Sequence, residues 1–201
     1  MESGDTYITL KGNSEGFYKE KGSKFLSFAF IVRNESEVKK KLAELKKKFY
    51  DARHHCYAYV LGDHGDKYRA NDDGEPGHSA GDPILGQIRS NNLTNTLIVV
   101  VRYFGGTKLG VGGLINAYKS ASADALTNNS FEEHLILSRI KIHFEYPLLN
   151  QVMYLVKEFD LQIISQKMAI SCSMTLGVRL SLEQSLRSRL IDIYEIRLEG
   201  E

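Results

Sequence analysis

Residues 96–104 (TLIVVVRYF) are the most hydrophobic run of the chain, and they lead straight into Gly105-Gly106-Thr107-Lys108-Leu109-Gly110-Val111-Gly112-Gly113. Such a run predicts a strand at the centre of a sheet. The glycines predict a tight turn, and a helix near 112–126 follows with Leu114, Ala117, Ala121 and Ala125 on one face. Small residues on that face let a helix lie close to its sheet. A strand, a glycine turn and a closely packed helix in succession commit this half of the chain to mixed α/β architecture.

The segments upstream fit the same sheet. Residues 24–32 (KFLSFAFIV) predict a strand, and Asn34 with Glu37 has the spacing of a capping box. Val38, Leu42, Leu45 and Phe49 then mark one helical face. The lysines at 39–41 and 46–48 mostly fall outside that stripe, as on an ordinary solvated face. Residues 54–61 (HHCYAYVL) predict a second strand, and 62–83, rich in Gly and Asp, predict a loop. Pro83 predicts the start of a short helix capped by Asp82.

The second half changes style. Residues 139–146 alternate, with Ile140, Ile142, Phe144 and Tyr146 on one side. Pro147 opens a helix bearing Leu149, Val152, Val156 and Phe159, and a strand near 161–165 follows. Residues 168–180 alternate from Met168 to Leu180, Ser181 with Gln184 matches a second capping box, and Tyr194, Ile196 and Leu198 predict a last strand. The order β-α-β-β-α-β predicts a ferredoxin-like sandwich with helices on one sheet face. The expectation is thus an α+β protein of two two-layer sandwiches, residues 1–130 and 137–201, with the boundary near Asn128–Glu133.

Charge and cysteine content narrow the function. The 201 residues carry a net charge of +1, and each half is close to neutral, so any nucleic-acid site must be a local patch. Two distant cysteines, Cys56 and Cys172, make neither a disulfide framework nor a zinc pattern. The polar, acidic N-terminus does not read as a signal peptide, and no apolar run reaches membrane-spanning length. The expectation is a cytoplasmic protein with no membrane partner, no bound metal and no cofactor.

Three segments concentrate chemistry. In the turn from Arg102 to Gly113, glycines let backbone N–H groups approach an anion, the helix start favours negative charge, and Arg102 and Lys108 add counter-charge. Tyr103, Gly105, Gly106, Gly110, Gly112 and Gly113 belong to the same candidate phosphate- or nucleic-acid-binding element. It matches neither the Walker P-loop nor the dinucleotide fingerprint, and a tight turn with close helix packing accounts for the glycines equally well. The loop Asn71–Pro83 gathers Asp72, Asp73 and Glu75, which suit a hard cation, with His78 as a base and Ser79 as a nucleophile, though its composition is also that of an ordinary loop. In Arg53-His54-His55-Cys56 the two histidines alternate, so a strand points them to opposite faces. His55 with Tyr57 and Tyr59, beside Arg53, offers a face able to stack on bases; an ordinary amphipathic strand is the alternative.

Taken together and in this order, Ala52-Arg53-His54-His55-Cys56, Asp72-Asp73-Gly74-Glu75-Pro76, Ala80-Gly81, and Val100–Gly106 continuing to Leu109-Gly110-Val111-Gly112-Gly113-Leu114 resemble the YigZ/IMPACT family. The resemblance covers nearly the whole chain, because bacterial members share both halves. It implies an N-terminal domain like domain four of elongation factor G and the ribonuclease P protein, with a left-handed β-α-β crossover. It implies a C-terminal domain like domain five of elongation factor G. Eukaryotic IMPACT proteins regulate translation initiation by restraining an amino-acid-starvation kinase, but with a different partner domain. Gly77-His78-Ser79 departs from relatives, which tend to carry small residues with a threonine there. The functional expectation is a non-enzymatic binding protein that contacts RNA, the ribosome or a translation factor through the glycine-rich site. The alternative is a phosphate- or nucleotide-handling enzyme that uses the glycine turn and the acidic loop.

Overall fold

The computed structural model describes residues 4–199, which divide into two compact units. One is Tyr7–His134; the other is the chain from Leu135 onward with residues 4–6. The architecture is α+β.

The first unit contains β1 (Thr6–Leu10), β2 (Ser14–Glu20), β3 (Ser23–Ile31), α1 (Glu35–Lys48), β4 (His54–Leu61), β5 (Lys67–Asn71), α2 (Gly81–Ser90), β6 (Thr96–Tyr103), α3 (Gly110–Thr127) and β7 (Phe131–Leu135). Five strands form one sheet in the order β2-β3-β6-β4-β5, and β1 pairs with β7 separately. The apolar run 96–103 is the central strand, antiparallel to both β3 and β4. Its residues divide between two cores. Ile98 and Val100 join Phe25, Ala29, Cys56 and Ala58 beneath α2 and α3. Leu97, Val99 and Val101 pack with Val38 and Leu45 of α1 on the other face. A strand apolar on both sides needs cover on both. Helix α1 supplies it, adding a layer that the two-layer expectation leaves out.

Helix starts show where local sequence rules hold and where tertiary structure overrides them. At α1 the Glu37 N–H donates to Asn34 Oδ1 at 3.0 Å. The Glu37 carboxylate reaches back to the N–H of Arg33 at 2.9 Å, one residue earlier than an ideal box. Helix α2 begins at Gly81, and Asp82 lies inside its first turn with no side-chain cap from the helix's own N-cap residue. The carboxylate of Asp72, brought over by the loop, accepts the N–H groups of Ala80 and Gly81 at 2.9 and 2.8 Å. The expected cap at Asp82 is therefore replaced by Asp72. Residues 67–71, expected as loop, form the edge strand β5 against β4. Its residues are largely exposed and carry no apolar alternation to betray a strand.

The second unit contains β8 (Leu137–Glu145), α4 (Leu149–Glu158), β9 (Gln162–Lys167), β10 (Ser171–Arg179), α5 (Glu183–Ile191) and β11 (Arg197–Leu198). Its sheet runs β11-β8-β10-β9, with every pair antiparallel. This is the ferredoxin-like arrangement. Ile140, Ile142, Phe144, Cys172, Met174 and Leu176 share one core with Val152, Leu155, Leu186 and Leu190 of the helices. Three local expectations are corrected. The alternation from Met168 overshoots the strand, because 168–170 connect β9 to β10 and leave Ile170 86% exposed. The Ser181–Gln184 box does not form, because the N–H and hydroxyl of Ser181 both bind the carboxylate of Asp5. The last strand shortens to Arg197–Leu198, and Tyr194 stands outside it, exposed. No helix among the described residues is long and apolar enough to cross a membrane.

Candidate functional site

Arg102 sits near the end of β6 on the face beneath α3, with its side chain only 8% exposed. A buried guanidinium requires a carboxylate partner. Glu75, with a side chain 4% exposed, supplies it at 2.6 Å from Arg102 Nη1. The same Glu75 oxygen accepts the Tyr118 hydroxyl at 2.8 Å. The Cys56 thiol lies 2.9 Å from the Asp72 carbonyl oxygen and 3.3 Å from the Tyr118 hydroxyl, and its one hydrogen serves them in turn. Phe25 packs edge-on to Tyr118, and the Arg102 guanidinium stands over Phe25 and Phe104 at 5.5 and 5.7 Å. Burial pushes the Cys56 thiol and the Tyr118 phenol well above their ordinary pKa ranges. Both stay protonated at neutral pH, so neither serves as a ready nucleophile or base. One polar atom in this network has no partner: Arg102 Nε is buried and unbonded.

The acids of the loop are engaged within the fold. The Asp72 carboxylate accepts three backbone N–H groups, from His78, Ala80 and Gly81. Burial pushes its pKa up, but those N–H groups outweigh burial and hold the carboxyl below its ordinary range. Asp73 accepts the His55 N–H at 2.7 Å and pairs with Lys46 at 3.5 Å. His54 Nδ1 donates to the Asp73 carbonyl oxygen at 2.8 Å, which ties the loop to β4. Gly81 allows the loop to close, since a Cβ there would lie 2.5 Å from the Asn71 nitrogen. Ser79, expected as a nucleophile, is fully buried and donates to the Pro76 carbonyl. His78, expected as its base, is exposed and paired with Asp82 at 2.6 Å. Among the described residues no three His, Cys, Asp or Glu side chains gather around a point that suits a metal ion.

The glycine turn is built differently. Gly105 lies flush on Gly22, where a Cβ would come within 1.9 Å of the Gly22 carbonyl carbon. Gly106 and Gly110 have φ of +88° and +72°, a region L-residues rarely adopt. Gly113 is close to Leu109, whereas Gly112 has ordinary φ and open space around it. The helix that follows has Leu109 at its N-cap, no side-chain cap and no acidic residue in its first turn. Its leading N–H groups are left to whatever approaches.

The segments converge on one cavity of about 470 Å³. From the start of β4 come Arg53 and His54; from the acidic loop, Glu75 and Pro76; from β6 and the turn, Arg102, Phe104 and Lys108. Leu109, Gly110, Val111 and Leu114 complete the wall at the start of α3. Arg53 and Lys108 are exposed and, among the described residues, bond to no acceptor. Sequence reasoning missed Phe104, Pro76, Leu109, Val111 and Leu114 as lining, and Tyr118 as the partner of Glu75. Tyr118 stands four residues after Leu114, on the buried side of α3, and that spacing was the available signal.

Other candidates lie elsewhere. His55 is buried on the opposite sheet face, where burial lowers its pKa. Tyr57 and Tyr59 stack on each other under α1, and the Tyr59 hydroxyl donates to Glu35, its pKa pushed up to about 12 by burial. That face is covered and cannot receive bases. Tyr103 also points that way, and its hydroxyl donates to Asp51. Asp72, Asp73, His78 and Ser79 belong to the loop, and neither they nor Gly105, Gly106, Gly112 and Gly113 line the cavity.

Residues 21–126 match the model of the Impact N-terminal domain. The chain is 35% identical to the IMPACT family member YvyE of Bacillus subtilis over 147 residues, 73% of this chain and 68% of that protein. It is 30% identical to an IMPACT family member of Haemophilus influenzae over 174 residues, 86% of this chain and 84% of that one. Among solved structures, the crystal structure of a hypothetical protein superimposes with a TM-score of 0.72 at 25% identity, covering 98% of this chain and 99% of the other.

Proposed function

The chain belongs to the IMPACT family, and from that premise we propose that it is a binding protein connected with translation, which holds RNA, the ribosome or a translation factor through the cavity of its first unit. The translational setting rests on the resemblance to family members that regulate translation initiation. The cavity rests on its own chemistry. Arg53 and Lys108 face solvent beside a helix start without a side-chain cap, and among the described residues they bond to no acceptor. Free cations and free N–H groups at one opening form a receptor for negative charge. That observation carries the proposal.

Recognition accounts for the site better than turnover does. The hydroxyl, imidazole and thiol that catalysis would need are each committed: Ser79 to Pro76, His78 to Asp82, and Cys56 to the buried network. The aspartates expected to hold a cation are filled by backbone N–H groups and Lys46.

Gel shifts on structured and single-stranded RNA, with ribosome co-sedimentation, test the reading at low and moderate salt. Affinity should fall as salt rises, and Arg53→Ala and Lys108→Ala should each reduce the logarithmic salt slope by about one. No association with RNA, ribosomes or translation factors at low salt removes the proposal.

A further inference from the structure

The composition of the cavity is unusual for a surface that only tracks a phosphate backbone. Its wall is mostly apolar, with Pro76, Leu109, Val111 and Leu114 beside a half-exposed aromatic ring, Phe104. Its uncommitted charges are the cations Arg53 and Lys108, because Glu75 is already consumed by Arg102 and Tyr118. A chain of phosphodiesters asks for a polar groove. A long aliphatic acid asks for a deep tunnel and offers a single negative charge. This cavity is lined by the buried Arg102–Glu75 pair and has a volume of about 470 Å³. Such a space suits one flat ring with a strongly charged group at its edge.

We infer that the cavity binds a single nucleotide bearing a terminal phosphate, with the base against Phe104 and the phosphate at the first turn of α3 beside Lys108. Stacking on an exposed aromatic ring is tolerant of base identity in single-stranded nucleic-acid sites. A phosphomonoester carries close to two negative charges near pH 7, against one for a phosphodiester or a carboxylate. It therefore draws most from two free cations and an uncapped helix start. A second, independent feature points to an occupant. Arg102, more than nine-tenths buried, lines the cavity and keeps its Nε without an acceptor. An occupant of the cavity would lie against that guanidinium.

The inference rests on the binding reading above and names what that site takes. The ligand has two sources with one chemistry: a free 5′-mononucleotide, or the 5′-phosphorylated end of an RNA strand. Titration calorimetry on the full chain with 5′-AMP, adenosine and inorganic phosphate tests the pocket. Short RNA oligonucleotides with and without a 5′-phosphate separate the sources. The expected result is saturable 5′-AMP binding, with adenosine and inorganic phosphate each weaker by at least about tenfold. Phe104→Ala and Lys108→Ala should each weaken 5′-AMP by a similar factor while the circular dichroism spectrum stays unchanged; both residues are exposed, so the fold tolerates the changes. Preference for phosphorylated oligonucleotides over 5′-AMP assigns the strand end, and the reverse assigns the free nucleotide. Equal affinity for adenosine and 5′-AMP, or no saturable binding of 5′-AMP and of the phosphorylated strand, overturns the inference. RNA binding indifferent to the 5′-phosphate and to Phe104→Ala overturns it while leaving the broader proposal standing. Binding of 5′-AMP without any association with RNA, ribosome or factor does the opposite.

Discussion

The acidic loop at 71–83 and the glycine turn at 104–113 invert what their compositions suggest. The loop displays aspartates, a histidine and a serine, the vocabulary of catalysis, yet each is already engaged: Asp72 and Ser79 with the loop's own backbone, Asp73 with His55 and Lys46, and His78 with Asp82. Asp72 alone accepts three N–H groups. The turn displays glycines, the vocabulary of tight packing, yet among the described residues it leaves a lysine without an acceptor and a helix start without a side-chain cap. A side chain becomes available for function when folding has not already used it. Reactivity in the abstract does not decide the matter.

That contrast can be broken by substitution. The largest effect belongs to Gly105→Ala, because a Cβ 1.9 Å from the Gly22 carbonyl carbon leaves backbone facing backbone with no flexible atom to yield. It should cost more than about 4 kcal/mol in urea unfolding. A folded variant with near-normal stability would mean that the turn is looser than described. Glu75→Ala comes next, since it strands the buried Arg102 charge and the Tyr118 hydroxyl together, and a loss of about 3–5 kcal/mol is expected.

Asp72→Asn should cost about 1–3 kcal/mol at neutral pH, by weakening charge-assisted bonds to three N–H groups. Its sign with pH follows from the depressed pKa of Asp72. The carboxylate's contribution is complete above the ordinary aspartate range and disappears as pH falls through the lower value of the folded state. Wild-type stability should therefore approach that of the variant on acidification. A gap between the two that stays constant down to strongly acidic pH would show that the charge of Asp72 does not act as described. The smallest effect sharpens the comparison from the other side. Gly112→Ala, at an exposed helical position with open space, should raise stability by about 0.5–1 kcal/mol. A destabilised variant would place Gly112 with the packing glycines Gly105 and Gly81.

Much of the fold was legible because apolar periodicity is a local signal. The run at 96–103, the stripe of α1 and the small-residue face of α3 each declare their burial in sequence. Elements that bury little declare little: β5 is an exposed edge strand, and β2 alternates around Gly16 and lies at the other edge. Distant partners leave no local mark. Nothing near Ser181 announces that Asp5, 176 residues away, takes its hydroxyl in place of a capping box. The site divides along the same line. The order of its motifs was visible, so Arg53, Glu75, Arg102 and Lys108 could be named together. Which sheet face lay open was not visible, because it depends on where α1 docks. His55, Tyr57 and Tyr59 therefore looked like a surface and prove to be interior.

The two cysteines have a use that has nothing to do with disulfides. Cys56 is fully enclosed in the first unit and Cys172 nearly so in the second, at 0% and 1% exposure. The environment of Cys56 also holds its thiol protonated, and a thiol reacts through its thiolate. A small alkylating reagent can therefore reach Cys56 only after the network under the cavity has come apart, and Cys172 only after the core of the second unit has loosened. Mass spectrometry of the two peptides then times two separate opening events in one tube. The chain thus carries, without any engineered label, an independent stopwatch in each half.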